Sequence, residues 1–163
     1  MMDGAVRILV TGGTIDKVHD WAREALVLDG SSAVPGLLEA GRCRVAAVQS
    51  VLCMDSLDMG NADRAAIAAA VRAAPEGRLV VTHGTGTMGA TARYLDGLAL
   101  GKTVVLTGAM RPASVLGSDA AFNLGGAVVA AGVLGPGVWG VMNGRVFPAR
   151  VLEKDTETGR FDG

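Results

Sequence analysis

The sequence is short of aromatic residues, of cysteine and of net charge. Two Trp, one Tyr and three Phe are all the aromatics in 163 residues, so the apolar half of the chain consists mostly of Ala, Val and Leu. Its two cysteines, Cys43 and Cys53, are too few for a secreted disulfide framework and form no CxxC metal pair. A reduced, cytoplasmic compartment fits that usage. Fifteen Lys and Arg against sixteen Asp and Glu leave a formal net charge of -1. A nucleic-acid binder or a polybasic membrane protein needs a stronger field, so neither nucleic acid nor membrane is expected as a partner. Residues Met1 to Val10 include Asp3 and Arg7 and only a short apolar run, unlike a secretory signal. The one long apolar stretch, Leu124 to Met142, is cut by Gly135-Pro136-Gly137 and reads as a buried helix, a turn and a buried strand.

What is present points to a single domain. A chain of this length can bury roughly two-thirds of its unfolded surface, enough for a core without staples. Five short β-branched runs stand out, at Val6 to Val10, Arg44 to Leu52, Arg78 to Thr82, Thr103 to Leu106 and Val138 to Met142. Each is continuous and bounded by Gly or polar residues, as strands buried on both faces should be. Helices are predicted at Ala62 to Ala74, with Asn61 as N-cap and Pro75 as stop, at Thr87 to Leu100, and at Asp119 to Gly132. A loop with a short helix separates the first two strands. The alternation predicts a doubly wound, three-layer α/β domain with a mainly parallel sheet, flavodoxin-like or Rossmann-like. Asp16 to Pro35 and the charged tail Glu153 to Gly163 read as mobile.

In such sheets ligands bind beyond the carboxyl ends of the strands. The segments that follow the five strands are Thr11-Gly-Gly-Thr14, Asp55-Ser56, His83-Gly-Thr-Gly-Thr87, Thr107-Gly-Ala-Met-Arg-Pro112 and Asn143-Gly144. Glycine there lets backbone N–H groups approach a ligand, and the hydroxyls supply hydrogen bonds or a nucleophile. Any one of these loops is also accounted for by turns and helix caps; their convergence on one edge points to a site. His83 reads equally as a site residue or as a satisfied structural histidine. Arg111 reads equally as a ligand clamp or as a surface ion pair.

At these residues the sequence resembles the N-terminal catalytic domain of the asparaginase/glutaminase family. The resemblance runs from Ile8-Leu-Val-Thr-Gly-Gly-Thr-Ile15 through Val81-Thr-His-Gly-Thr85 and Val105-Leu-Thr-Gly-Ala-Met-Arg-Pro112 to Gly140-Val-Met-Asn143 and Lys154. It implies hydrolysis of a side-chain amide through an acyl-enzyme on a threonine, with release of ammonia and with no metal or organic cofactor. By the same resemblance Thr14 is the nucleophile, Thr85 the second catalytic threonine and Lys154 the lysine that assists it. Gly13, Asp55, Ser56, Gly84, Gly86 and Ala109 then belong to the substrate site. A threonine hydroxyl is a weak nucleophile, and a partly desolvated lysine can supply the base it needs. Backbone N–H groups around Thr85 suit a developing oxyanion. A homodimer or higher homo-oligomer is expected.

The chain departs from the family pattern in three places. Gly86 stands where the family has an aspartate that binds the substrate's α-amino group, which predicts weak turnover of free L-asparagine. The tyrosine of the family's mobile loop has no counterpart, since Tyr94 is the only tyrosine and lies elsewhere; Asp16, His19, Asp20 and Glu24 are loop candidates for its role. The smaller C-terminal domain is read as absent. Two other readings remain open. One is a non-catalytic protein that binds a small amide or carboxylate. The other is nucleotide binding through Gly84, Gly86 and Gly89, a G-x-G-x-x-G that follows a predicted strand and opens a helix. Against the latter, no acid lies near Val104, about 20 residues on, where a ribose ligand is expected.

Overall fold

In the computed structural model, which describes residues 5–162, six strands form one sheet in the order β4-β1-β5-β6-β7-β8. The strands are β1 (Val6–Gly12), β4 (Ala47–Met54), β5 (Arg78–Thr82), β6 (Thr103–Thr107), β7 (Gly137–Met142) and β8 (Arg145–Pro148). The first five run parallel, and β8 pairs antiparallel with β7. A separate two-stranded hairpin, β2 (Val18–Asp20) with β3 (Ala25–Val27), follows β1. The helices are α1 (Val34–Ala40), α2 (Asn61–Ala73), α3 (Met88–Asp96) and α4 (Ala120–Val133).

Alternation along the central strands builds the three layers. Leu9, Leu79, Val81, Val104 and Leu106 pack with Ile67, Val71, Ala92 and Leu95 of α2 and α3. Ile8, Val10, Val80 and Val105 pack with Val34 and Leu38 of α1 and with Leu124, Ala127 and Ala131 of α4. Successive side chains of a strand point to opposite faces, so a continuous apolar run places one core on each side of the sheet. Each fully buried Leu or Ile contributes about 1.5–3 kcal/mol. This is the doubly wound α/β architecture expected, with a mainly parallel sheet.

Local differences from the sequence reading have physical causes. The second parallel strand begins at Ala47, opposite Arg7, and runs on to Met54, because a register shift between Val10 and Gly12 brings Met54 opposite Gly12. Gly60, not Asn61, precedes α2, and its N–H donates to the Asp63 carboxylate at 2.8 Å. α3 ends at Asp96, four residues before the predicted limit, with Gly97 as C-cap. Asn143 and Gly144, at φ 54° and 73°, form a tight turn that returns the chain as β8. The charged tail folds back: Phe161 is fully buried beside Phe147, and its N–H donates to Asn143 Oδ1 at 3.0 Å. Leu124 to Met142 forms α4 and β7 as read, and no described helix is long and apolar enough to cross a membrane.

Candidate active site

The strand-end loops meet through their backbones at the carboxyl edge of the sheet. Gly12 adopts φ 95° and Gly13 φ 84° with ψ -176°, conformations that disfavour any residue with a side chain. A Cβ on Gly12 would lie 2.6 Å from Met54 N, and one on Gly13 would lie 2.6 Å from Gly84 Cα. Gly13 N–H donates to Met54 O at 3.0 Å, and the buried Thr11 hydroxyl donates to Thr82 O at 2.7 Å. The two glycines thus thread β1's exit between the ends of β4 and β5. Thr14 follows Gly13 and Thr85 follows Gly84, so each threonine stands one residue from that backbone contact.

Thr14 opens a 3-10 turn, Thr14–Asp16, in which Lys17 N–H donates to Thr14 O at 3.1 Å. The loop after β6 buttresses it. Ala113 N–H donates to Ile15 O at 3.2 Å, the Ser114 hydroxyl donates to Lys17 O at 2.8 Å, and Ala109 packs with Ile15 and Ala120. Thr85 is buried, and Lys154 Nζ donates to its Oγ1 at 3.3 Å. Lys154 reaches that position because Leu152 is anchored in the core and lies over Gly89, whose missing Cβ would collide with Leu152 O. A link spanning 69 residues therefore joins the tail to β5's exit.

Asp55 and Ser56 close the other side. Asp55 accepts from Leu57 N–H at 3.0 Å and from Lys17 Nζ at 2.8 Å. The Lys17 hydrogen bond, more than the Leu57 amide and the charges of Lys17 and Lys154, holds this carboxyl below its ordinary range. Ser56 is buried against Gly84: a Cβ there would come within 2.5 Å of its Oγ, which accepts from Thr87 N–H at 3.3 Å. The Thr87 hydroxyl donates to Ser56 O at 2.8 Å. Thus the structure brings Gly13, Thr85, Lys154, Asp55, Ser56, Gly84 and Gly86 to one edge.

Other candidates point elsewhere. Asp16 is 3% exposed, and its Oδ1 accepts from the Ser32 hydroxyl at 2.8 Å and Ala33 N–H at 2.9 Å, tying the turn that precedes the hairpin to the start of α1. Burial raises its carboxyl above the usual value despite these bonds. His19 sits exposed on β2, edge-on to Trp21 with ring centroids 4.5 Å apart. Asp20 accepts from Ala22 and Arg23 N–H in its own turn, and Glu24 is exposed at φ 49°. Arg111 is exposed and donates to Leu116 O at 3.4 Å. Gly84 and Gly89 lie tightly against Ser56 and the backbone of Leu152, which accounts for these two glycines by packing, whereas the exposed Gly86 meets only the side-chain end of Leu57. Among the described residues no group of three or more His, Cys, Asp or Glu is placed to hold a metal. Lys17 and Leu57 escaped the sequence reading. Lys17 carried no signal apart from its place three residues after Thr14, and Leu57 only its place beside Ser56.

His83 is buried beneath the loop, with Nδ1–H donating to Gly84 O at 2.7 Å and Nε2 3.2 Å from Met59 Sδ. Desolvation, reinforced by the charge of Arg64 and opposed by the Gly84 bond, lowers its pKa from 6.5 to about 4. The folded state therefore holds the neutral ring. Its contribution to stability is complete above pH 6.5 and is lost as pH falls toward 4, in total about 3 kcal/mol. His83→Asn is expected to flatten the fall in melting temperature between pH 7 and pH 4.5; an unchanged slope in thermal melts would assign that fall to other groups.

Comparison with known proteins agrees with this geometry. The family described as "Asparaginase, N-terminal" matches residues 5–163. The chain is 34% identical over 163 residues to the probable periplasmic L-asparaginase of Haemophilus influenzae, covering 94% of this chain and 47% of that protein. It is also 34% identical to L-asparaginase 2 of Escherichia coli, with the same coverage. The thermostable L-asparaginase of Thermococcus kodakarensis superposes with a TM-score of 0.80 at 29% identity, over 92% of this chain and 47% of that one. The chain spans about half the length of the relatives it matches.

Proposed function

The chain belongs to the asparaginase family, and from that premise we propose that it is an amidohydrolase with Thr14 as nucleophile. The observation that carries the reading is the Lys154–Thr85 hydrogen bond of 3.3 Å, on the same edge as Thr14. The Thr14 hydroxyl attacks the amide carbon, and its proton passes through the Thr85 hydroxyl, to which the Lys154 ammonium donates, to the leaving nitrogen. The C–N bond breaks, ammonia departs, and an ester remains on Thr14. Water then adds to the ester, aided by the same pair, which releases the carboxylic acid and restores the hydroxyl. This chemistry needs neither metal nor organic cofactor.

The substrate is a side-chain or related amide, and free L-asparagine turns over weakly because Gly86 offers no carboxylate to an α-ammonium group. Lys154→Met keeps an unbranched side chain, shorter by one atom, and removes its charge. Ammonia release is expected to drop by about 10²–10⁴-fold in that variant, the range of a lost proton-transfer group. Ammonia from L-asparagine, L-glutamine and succinamate is the readout. No release from any of them by the unmodified chain, together with calorimetric binding, would make it an amide-binding protein instead.

Cytoplasmic placement belongs to the same proposal and is supported by the free thiols Cys43 and Cys53. A homodimer or higher homo-oligomer is supported by Phe122, Val129 and Val133, exposed on α4. A monomeric mass by light scattering would overturn the oligomer.

A further inference from the structure

Leu57 lies in the 3-10 turn Ser56–Asp58, beside the buried Ser56, and is 74% exposed. Its side chain occupies the direction in which a side chain at position 86 would project: a Cβ on Gly86 would lie 2.7 Å from Leu57 Cδ2 and 3.3 Å from Ser56 Oγ. Glycine is required at 13 by conformation and by neighbouring backbone, and at 89 by backbone alone. Gly86 differs. Its φ lies outside the left-handed region, and its nearest obstruction is the flexible end of Leu57. Gly86 and Leu57 therefore form a matched pair, in which the missing side chain makes room for the leucine.

Gly86 follows Thr85 directly, so on the amidohydrolase reading the pair walls the part of the substrate that lies beyond the methylene of the reacting amide. The charges around it are Lys17, Asp55 and Lys154. Asp55 is already engaged by Lys17 and by Leu57 N–H, which leaves the positive charge of Lys154 in surplus. Asp58, the last residue of the turn, is exposed to solvent. An ammonium group placed here would lose water to methyl groups and face Lys154 without a counter-charge, an unfavourable exchange. A methylene fits the wall, and a carboxylate farther along the substrate gains from the surplus positive charge.

We propose that Leu57 is a specificity-determining residue that excludes a polar substituent on the substrate's carboxylate-bearing carbon, the second carbon from that of the amide. The substrate class is then an ω-amide of an unsubstituted dicarboxylic acid, of which succinamate is the simplest. This inference rests on the amidohydrolase reading, and the test separates the two. Ammonia release from succinamate, L-asparagine and N-acetyl-L-asparagine is measured for the unmodified chain, Leu57→Ala, Gly86→Asp and the double variant. Binding of succinate and L-aspartate to each is titrated by calorimetry.

The unmodified chain is expected to favour succinamate over both asparagine compounds by at least about 10-fold in kcat/KM, a discrimination within reach of apolar packing and a missing partner. Leu57→Ala, at an exposed position that does not carry the fold, should narrow that ratio through KM. Leu57→Ala with Gly86→Asp should shift preference toward L-asparagine further than Gly86→Asp alone, where the new side chain meets the leucine. Equal use of succinamate and L-asparagine by the unmodified chain, or a ratio unchanged in Leu57→Ala, would overturn the role of Leu57 while leaving hydrolysis intact. Preference for succinate over L-aspartate that depends on Leu57, without ammonia from any amide, would uphold the wall and overturn hydrolysis.

Discussion

Thr14→Val is expected to reduce ammonia release by at least about 10³-fold while leaving the fold in place, because it removes the hydroxyl and keeps the branched shape. The backbone of Thr14 is fixed by the 3-10 turn, whereas its hydroxyl enters no hydrogen bond among the described residues. Loss of that group should therefore cost little stability. The melting temperature should stay within roughly 3 °C, the shift produced by about 1 kcal/mol in a domain of this size. A valine variant that retains more than about a tenth of the activity would move the nucleophile away from Thr14. Thr85, already hydrogen-bonded to Lys154, would be the next candidate.

Gly13→Ala is expected to cost about 3–5 kcal/mol of stability, lowering the melting temperature by roughly 10 °C or more. Two effects add. The conformation of Gly13, φ 84° and ψ -176°, belongs to a region that is nearly closed to residues with a Cβ and costs on the order of 1–3 kcal/mol by itself. The new methyl would also press on the backbone of Gly84, with Gly84 Cα only 2.6 Å away. Backbone at the end of a central strand cannot rotate aside as a side chain does, so relief would separate the Thr14 turn from the Thr85 loop. Activity should fall with stability. Gly36→Ala is the control: Gly36 lies within α1 with nothing in the path of a Cβ, and the substitution should stabilise by about 0.5–1 kcal/mol. If Gly13→Ala melted like that control, the strand-end glycines would not be what brings the two threonine loops together.

The central strands were legible because burial on both faces leaves an unbroken apolar run with polar ends. Arg78–Thr82 forms the strand read from the sequence, and Val6 and Thr103 begin theirs as expected. The direction of the sheet followed from the alternation with helices, and with it the edge at which Thr14, Ser56 and Thr85 would gather. Short pieces held by long-range contacts were less legible. β8 is four residues ending in Pro148, and only the Asn143-Gly144 pair announced its turn. The tail Glu153 to Gly163 reads as mobile because its charges are local in sequence, yet Phe161 buries itself in a core assembled from distant strands. Lys17 pairs with Asp55 across 38 positions, and Leu57 covers Gly86 across 29; no periodicity records such contacts. Asp16, a loop candidate for the role of the family's tyrosine, accepts from Ser32 and Ala33 at the start of α1, contacts that are equally silent in the sequence.

The acylated residue is the most direct test of the account. Turnover on the amide that the chain cleaves fastest is quenched with acid in the first catalytic cycles, and the protein is digested and mapped by mass spectrometry. An ester on the peptide that carries Thr14, absent from Thr14→Val and scarce in Lys154→Met, is the predicted result. An ester on Thr85, or steady ammonia release with no ester on either threonine, would contradict it.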